Sequence, residues 1–297
     1  MVALALVGPT ASGKSALALE LARRRPDLEL VSVDSMQVYR GMDIGTAKPS
    51  PAEQAEVRHH LIDLVEPSDE YTVSRYSVDL AGALADIAGR GRRAILVGGT
   101  GLYVRAALGD LEIPPRFPAV RTQLEVEPDP VVLHGRLEQV DPVAAARMEP
   151  TNRRRVVRAL EVTLGSGRPF SSYGPGLGTY APLDHPMVGL RLEREVLDHR
   201  IEDRYRTQLA AGFLHEVAAL DARRPPMSPT AAQALGYREL RAHLAGQMSL
   251  EEAVELAVRR TRRFERRQER WFRRDPRIDW VDAGHNALAD TLARLGD

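Results

Sequence analysis

The chain has 297 residues, of which 43% are hydrophobic, and its formal net charge is zero; its length allows one large domain or one domain with a smaller companion. It has no cysteine, which excludes disulfides and thiolate metal sites. No apolar run reaches the roughly 18 residues of a membrane span, and no basic segment precedes the apolar N-terminus as in a signal peptide, so we expect a cytoplasmic monomer without a membrane partner.

The first hundred residues alternate between strand and helix patterns. Apolar runs predict strands at 2–7, 28–34 and 93–98, and helical spacing predicts helices at 15–24 and 74–90. Strands that alternate with helices form a parallel sheet with right-handed crossovers. The predicted fold class is therefore α/β, with a parallel sheet core like that of P-loop NTPases and with ligands beyond the carboxyl ends of the strands.

The loop after the first predicted strand reads GPTASGKS and matches the phosphate-binding pattern G-x-x-x-x-G-K-[ST]. Lys14 is one of only two lysines among 41 basic residues, which indicates a chemical need for a compact ammonium at this position. Glycines and a helix N-terminus direct N–H groups at an anion, and the Ser15 hydroxyl can be a ligand of Mg²⁺. The pattern predicts a site for a polyphosphate or diphosphate, formed by Gly8, Pro9, Thr10, Ala11, Ser12, Gly13, Lys14 and Ser15.

The amino-acid composition changes near residue 109, where prolines become frequent, as in linkers at a domain edge. Helical patterns at 131–164 and a Gly, Pro and Ser-rich stretch at 165–184 follow. The later elements are predicted as a strand at 188–192 and as helices at 198–220, 230–245 and 250–274, which finish the chain. We therefore expect a catalytic core of residues 1–114 and 185–297 and a helical insertion of residues 115–184.

Basic residues are concentrated in a few segments despite the zero net charge. Residues 259–274 contain nine Arg and two Glu, a local charge of +7 (9 − 2), which fits an acidic partner, although a solvated helix face fits equally. A second patch, in the insertion, consists of Arg154, Arg155 and Arg158. Arg200 and Arg204 lie one helical turn apart, where guanidinium groups can clamp phosphate oxygens or simply face solvent.

Three further polar residues stand out. Asp34 closes the second predicted strand, where a carboxylate can act as a general base, orient a metal-bound water or form a turn. The third predicted strand ends in GGTG (98–101), not in the carboxylate that holds Mg²⁺ in many P-loop NTPases; these glycines would let a ligand approach the backbone. Gln268 lies between Phe264 and Trp271 on the predicted inward face of the last helix, where its amide either satisfies the core or reads an adenine edge.

Seven segments occur in the order found in tRNA dimethylallyltransferases: GPTASGKS, SVDSMQVYRGMDIGTAKP, HHLID, VGGTGLYVRA, RRVVRALEV, ALGYREL and RRQERW. The chain thus resembles this family from residue 4 to about residue 280. The family transfers a dimethylallyl group from dimethylallyl diphosphate to the exocyclic N6 of the adenosine next to the anticodon of tRNA. The resemblance implies the same enzymatic activity here, with Mg²⁺ as cofactor and the anticodon stem-loop as partner.

The resemblance also implies roles for particular residues. The P-loop, with Arg200 and with Mg²⁺ at Ser15, would hold the diphosphate, and Asp34 would accept the N6 proton while Thr100 and Lys14 assist catalysis. The adenine would leave the stack of the anticodon loop to reach this site. Contacts with tRNA are expected from Asp34, Ser35, Met36, Gln37, Thr100, Arg121, Arg154, Arg155, Arg158, Arg263, Arg266 and Gln268.

Two features depart from the pattern of the family. The insertion is short between Leu124 and Val131, and Arg270 stands where relatives commonly have threonine.

Two other functions follow from parts of the sequence. The P-loop alone would suit a kinase of a nucleotide or small metabolite, indifferent to tRNA. A third alternative is a non-catalytic RNA-binding switch that uses nucleotide only to set its conformation, for which replacing Asp34 by Ala would leave all activity unchanged.

Overall fold

A computed structural model describes residues 1–109, 111–174, 176, 178–284 and 286–295. The chain divides into two compact units. We call Met1–Leu108 with Pro182–Asp297 the core unit, and Gly109–Ala181 the insertion unit. The boundaries predicted from the sequence, before residue 115 and after residue 184, differ from these by a few residues.

The core unit contains a six-stranded sheet in which each strand is parallel to its neighbours. The strands are β1 (Val2–Val7), β2 (Leu28–Val33), β3 (His59–His60), β4 (Arg93–Gly98), β5 (Met187–Arg191) and β6 (Ile278–Asp282). Their order across the sheet is β3-β2-β4-β1-β5-β6. Two strands were not predicted from the sequence: β3, which has only two residues, and β6, a short edge strand that follows the Arg-rich segment.

Among the described residues, the α-helices are α1 (Lys14–Arg24), α2 (Pro51–Glu56), α3 (Val73–Gly89), α4 (Gly101–Ala107), α5 (Pro118–Glu125), α6 (Pro130–Val140), α7 (Pro142–Ala145), α8 (Arg153–Ser166), α9 (Arg194–Ala210), α10 (Phe213–Asp221), α11 (Pro229–Ala232), α12 (Tyr237–Leu244), α13 (Leu250–Phe272) and α14 (Ala287–Leu295). The prediction that helices finish the chain directly was wrong, because β6 lies between α13 and α14. Two predicted helices are each divided in two, giving α9 with α10 and α11 with α12. The proline-rich segment predicted as a linker contains α5, which starts with Pro118 because proline suits the first helical position.

The sheet is buried on both faces, which explains the continuous apolar runs of its strands. Leu4 and Leu6 of β1 pack against α1 and α14 on one face. Ala5 and Val7 point to the other face, into a layer that includes α3, α9, α10, α12 and α13. This arrangement places the carboxyl ends of β1, β2 and β4 side by side, where ligands of open parallel sheets bind.

The insertion unit is a small helical bundle of α5 to α8. Its own apolar core includes Leu133 and Leu137 of α6 and Val157 and Leu160 of α8, each almost completely buried. Across the described ranges of both units, no helix combines the length and the apolar character that crossing a membrane requires.

Candidate active site

The P-loop (Gly8–Ser15) connects β1 to α1 and presents the N-terminus of that helix. Gly13 caps α1 without any side-chain hydrogen bond, and the first turn carries no acidic residue. The first N–H groups of a helix have no partner within it, so they point into the loop. The Lys14 ammonium folds over the same loop and donates to the Pro9 carbonyl oxygen at 3.0 Å. The loop is therefore an anion cradle with a lysine at its tip.

Besides Lys14, which belongs to the cradle, three charged side chains lie around it: Asp34, Arg204 and Arg200. Burial lowers the pKa of Lys14 to about 8; the Asp34 carboxylate opposes this shift and the Arg204 guanidinium adds to it. Arg204 donates to Thr10 Oγ1 at 3.1 Å. Arg200, exposed, donates to the Ala11 carbonyl oxygen at 3.4 Å. The structure thus brings the P-loop, the end of β2 and α9 together. Of the two arginines that were candidates for clamping phosphate oxygens, Arg204 is more buried than Arg200.

Asp34 directly follows β2 and uses one carboxylate oxygen to shape its own loop. Oδ1 accepts the backbone N–H groups of Met36 at 2.8 Å and Gln37 at 3.3 Å. Oδ2 receives no hydrogen bond from the described part of the chain. The turn and the general base, alternatives on sequence grounds, are therefore compatible, because each uses a different oxygen.

The loop from Ser35 to Lys48 is held closed by the side chain of Gln37. Its Oε1 accepts from Ser32 Oγ at 2.7 Å, and its Nε2 donates to the carbonyl oxygens of Thr46 and Ala47 at 3.3 and 3.2 Å. This amide therefore has a loop-closing role, and the tRNA contact of Gln37 stays a prediction. Ser35 and Met36 remain half-buried on the same loop.

Lys48, the second of the two lysines, closes the other end of this loop. Its Nζ donates to the Tyr39 carbonyl oxygen at 2.8 Å and to the carboxylates of Asp43 and Asp63, both at 2.6 Å. Its side chain is only 2% exposed. Three acceptors around one point suit a tetrahedral ammonium better than a planar guanidinium. The rarity of lysine in the sequence was the signal that could have found this residue.

Gln268 joins the P-loop to the loop after β4. Its Oε1 accepts the backbone N–H of Thr10 at 2.9 Å, and its Nε2 donates to the Gly99 carbonyl oxygen at 2.7 Å. The side chain is 7% exposed and both ends of its amide are used. Of the two alternatives, the structure therefore favours the core role, and the tRNA contact of Gln268 stays a prediction.

The glycines after β4 make room for protein side chains. A Cβ atom on Gly99 would lie 2.6 Å from Gln268 Nε2, and one on Gly101 would lie 2.3 Å from Cδ1 of the Trp271 indole. The expectation that these glycines admit a ligand is thus corrected, since neighbouring side chains already fill that space. Thr100 precedes α4 as its N-cap, but its hydroxyl makes no capping bond and is half-buried, so it remains available.

Gln268 is buried on α13 as predicted and Trp271 packs against the core, but the inward face also contains residues that were not predicted. Phe264 and Trp271 are only half-buried, whereas Glu265 and Phe272 are almost fully buried. Burial, with the nearby carboxylates of Glu269 and Asp198, raises the pKa of Glu265 to about 7. Its Oε2 has no hydrogen-bond partner among the described residues. The sequence analysis missed this carboxyl group because it counted Glu265 with the solvated charges of the Arg-rich segment.

The outer face of α13 is basic. Arg263 is exposed and Arg266 is half-buried, and neither forms an ion pair within the described residues. Arg259 and Arg273, by contrast, pair with glutamates one turn earlier, at 3.2 and 2.6 Å. Arg263 and Arg266 are therefore among the cations that this segment offers to an external anion, together with the exposed Arg267 and Arg270.

The insertion unit divides its arginines between an internal and an external role. Arg158 donates to Glu161 at 2.8 Å and to the Pro114 carbonyl oxygen at 2.7 Å. Arg121 donates to Glu125 at 2.8 Å and to Glu161 at 3.4 Å. Arg121 and Arg158 thus form ion pairs around Glu161, which is 2% exposed, and their contacts with tRNA stay predictions.

Arg154 and Arg155 are the external arginines of the insertion unit. Both are exposed on the first turn of α8. Neither makes an ion pair in the ranges that the structure describes. Since a helix N-terminus attracts anions, their position suits phosphate groups.

Ser15 is the P-loop residue that suits a magnesium ion. It is exposed, and its hydroxyl has no partner in the described ranges. These ranges contain no group of three or more His, Asp or Glu side chains that could hold a metal ion. Because Mg²⁺ usually binds few protein oxygens and completes its shell with phosphate oxygens and water, one hydroxyl next to a phosphate cradle fits it.

Comparison with known proteins agrees with this geometry. The sequence model of the family described as IPP transferase matches residues 37–275, and that of isopentenyl transferase matches residues 1–68. A tRNA dimethylallyltransferase of Nocardioides sp. is 47% identical over 290 residues, covering 97% of this chain and 93% of the relative. One from Geobacter metallireducens is 47% identical over 283 residues, covering 93% and 90%.

Solved structures of the same group have the same fold. The tRNA isopentenylpyrophosphate transferase of Bacillus halodurans superimposes with a TM-score of 0.70 at 36% identity, covering 98% of this chain and 96% of the other. A eukaryotic dimethylallyltransferase acting on tRNA superimposes with a TM-score of 0.79 at 27% identity, covering 98% and 77%. Neither a small-molecule kinase nor a non-catalytic RNA-binding switch is favoured by these similarities. The chain belongs to the tRNA dimethylallyltransferase family and is a transferase.

Proposed function

We propose that this enzyme transfers the dimethylallyl group of dimethylallyl diphosphate to N6 of the adenosine adjacent to the anticodon in tRNA, with release of diphosphate. The single observation that carries this assignment is the free Oδ2 of Asp34 beside the Lys14 cradle. A base and a diphosphate site within electrostatic range are what alkylation of an amine by an allylic diphosphate requires.

In the proposed reaction, the bond between C1 of the allyl group and the diphosphate oxygen breaks while a bond between C1 and N6 forms. The electron pair leaves with the diphosphate, and the proton of N6 passes to Asp34. An aromatic amine is a weak nucleophile, so positioning and proton removal both contribute. The hydroxyl of Thr100, at the end of the neighbouring strand, would help orient the reacting groups.

The P-loop stabilises the leaving group in this proposal. Lys14, Arg204 and Arg200 supply positive charge, and the first N–H groups of α1 donate hydrogen bonds. The hydroxyl of Ser12 is fully buried and without a partner in the described ranges, which suits donation to a bound oxygen. Mg²⁺ at Ser15, when bound, supplies further charge neutralisation.

The basic surfaces are the proposed contacts with tRNA. Arg263 and Arg266 on α13 and Arg154 and Arg155 on α8 form no ion pair among the described residues and can bind backbone phosphates. Asp34, Ser35, Met36 and Thr100 would face the flipped adenosine. Dimethylallyl diphosphate, Mg²⁺, a monomeric state and a cytoplasmic location belong to this proposal.

The test is incubation of the protein with dimethylallyl diphosphate, Mg²⁺ and unmodified tRNA. Mass spectrometry of the digested tRNA should show one adenosine that has gained one dimethylallyl group. Replacement of the allylic diphosphate by ATP should give no transfer. A protein that is folded and binds tRNA, but leaves every adenosine unmodified, would refute the proposal.

A further inference from the structure

The motif ALGYREL has no role in the chemistry proposed above. Its tyrosine, Tyr237, is fully buried, and the phenol donates to Glu216 Oε1 at 2.5 Å. Burial and this carboxylate raise the pKa of Tyr237 well above its ordinary value, so the phenol keeps its proton. The motif thus leads to Glu216, an acidic residue in the first turn of α10.

Glu216 binds a turn at residues 43–45, within the loop that follows Asp34. Its carboxylate accepts the backbone N–H groups of three successive residues, Asp43 at 3.0 Å, Ile44 at 2.7 Å and Gly45 at 3.2 Å. Successive N–H groups that surround one anion form a nest, and here the anion is a side chain of the protein. Gln208 of α9 donates to the carbonyl oxygens of Ile44 and Gly45, so both polar edges of the turn are held.

The turn is also fixed by close packing at Gly45. The rings of Phe213 and Tyr237 meet edge to face, with their centroids 4.9 Å apart. A Cβ atom on Gly45 would lie 2.3 Å from Phe213 Cε2 and 2.4 Å from Tyr237 Cε2. Glycine is therefore required at this position, and the turn has little room to move.

The same turn connects the two halves of the active site. The Gly45 carbonyl oxygen accepts from Arg204 Nη2 at 3.2 Å, and Nη1 of the same guanidinium donates to Thr10 Oγ1 at 3.1 Å. Gln37, which follows Asp34 by three residues, donates to the carbonyl oxygens of Thr46 and Ala47, directly after the turn. These bonds link the turn to the segment that carries Asp34. A displacement of the turn would therefore shift both the Asp34 carboxylate and the Arg204 side chain that bonds to the phosphate loop.

We infer that Glu216 is a positioning residue for the transfer reaction. Its carboxylate fixes the turn at residues 43–45, and through this turn it sets the place of Asp34 and Arg204 relative to each other. The inference rests on the proposed function, because it assigns Asp34 and Arg204 to the reacting site. Among the described residues, Glu216 itself bonds only to the turn and to Tyr237.

Glu216→Gln tests this inference, because glutamine keeps the size of the side chain and removes its charge and one acceptor. We expect the kcat of dimethylallyl transfer to fall about tenfold or more, since a misplaced catalytic group is costly, while the Kd for tRNA stays within about twofold. Hydrogen–deuterium exchange of a peptide covering residues 38–49 should become faster. The matched control is Glu252→Gln, which removes a carboxylate that accepts the Ser249 N–H at the start of α13 and should leave kcat unchanged.

Each outcome decides the inference. Faster exchange with an unchanged kcat would show that the contact serves only the fold, and unchanged exchange would show that Glu216 does not hold the turn; either result overturns it. If Glu216→Gln does not fold, Tyr237→Phe keeps the three N–H bonds and should give a smaller decrease in kcat with the same pattern of exchange. If the unaltered enzyme transfers no dimethylallyl group, the proposed function fails, whereas the exchange experiment still tests the hold of Glu216 on the turn.

Discussion

Gln268 donates to the Gly99 carbonyl oxygen at 2.7 Å, and the same amide accepts the N–H of Thr10. One side chain of α13 therefore sets the distance between the phosphate loop after β1 and the loop after β4. Since Thr100 follows Gly99 directly, this amide also determines where the Thr100 hydroxyl stands relative to the diphosphate cradle.

Gln268→Leu should destabilise the protein and weaken diphosphate binding. The change leaves the buried Gly99 carbonyl without a partner, which costs about 1–3 kcal/mol, and it also removes the acceptor of the half-buried Thr10 N–H. Gln268→Glu is the matched variant, because a carboxylate still accepts from Thr10 but cannot donate to Gly99. Thermal unfolding and titration calorimetry with diphosphate check this: Tm and affinity equal to those of the unaltered protein in both variants would contradict the role.

Diphosphate binding should weaken above about pH 8. The pKa of Lys14 lies near 8 in the folded protein, so the ammonium is present below that pH and is lost as pH rises through it. An anion binds the protonated form, and its affinity should fall by up to about tenfold per pH unit above this value. Titration calorimetry between pH 7 and 9.5 measures the effect.

The control for this pH dependence is Lys14→Arg, which stays protonated over the whole range and should show a flat profile with weaker binding. Lys14→Ala should reduce kcat/KM for the allylic diphosphate by about 100-fold or more. A profile that is flat in the unaltered protein would show that Lys14 does not titrate against the ligand.

Asp34→Asn should lower turnover while leaving tRNA affinity largely intact. Asparagine keeps an oxygen for the Met36 and Gln37 N–H groups, so the loop retains its shape, but the amide cannot accept the N6 proton. General base catalysis contributes about 100- to 10,000-fold, and kcat should fall within this range. Single-turnover kinetics and a filter-binding Kd for tRNA separate the two quantities; an equal loss of both would indicate a binding role for Asp34.

Binding of tRNA should depend steeply on salt, and Arg263 and Arg266 should account for part of the slope. Each phosphate contact contributes about 0.7–0.9 to the slope of log K against log salt. The double substitution to Ala should therefore reduce the slope by roughly 1–2. Arg24→Ala, which removes a surface arginine paired with Glu20 on α1, is the control and should leave the slope unchanged. The same slope in all three proteins would place the phosphate contacts elsewhere.

Glu265→Gln should stabilise the protein above neutral pH. The pKa of Glu265 is raised from 4.5 to about 7 in the fold, so between these values the unfolded chain has lost the proton that the folded protein keeps. Stability therefore falls as pH rises through this window, by an amount on the order of 3 kcal/mol. The variant should have a higher Tm than the unaltered protein at pH 8 and an equal Tm at pH 4.5.

The control for this stabilisation is Glu255→Gln, an exposed carboxylate paired with Arg259 on the same helix. Its Tm should stay nearly unchanged at both pH values, because exposed ion pairs contribute little. A Glu265→Gln protein that is less stable than the unaltered one at pH 8 would mean that the buried carboxylate has a partner in solution.

The sequence by itself determined the central strands and the identity of the phosphate loop. Both faces of β1, β2 and β4 are buried, so their apolar runs are continuous and easily read. The phosphate pattern is local as well, because its chemistry depends on consecutive backbone groups ahead of a helix. Asp34 could be placed at the site because the carboxyl ends of parallel strands share one edge.

Only the tertiary structure decided which polar side chains are free. Gln37, Arg158 and Gln268 have the residue types expected of RNA-binding groups, but each donates to a carbonyl oxygen of the protein, and for Arg158 and Gln268 that oxygen lies 44 and 169 positions away. Glu216 acquires its role from a turn more than 170 positions earlier. Hydrogen bonds between distant segments depend on the packing of the whole core, and no local pattern in the sequence records them.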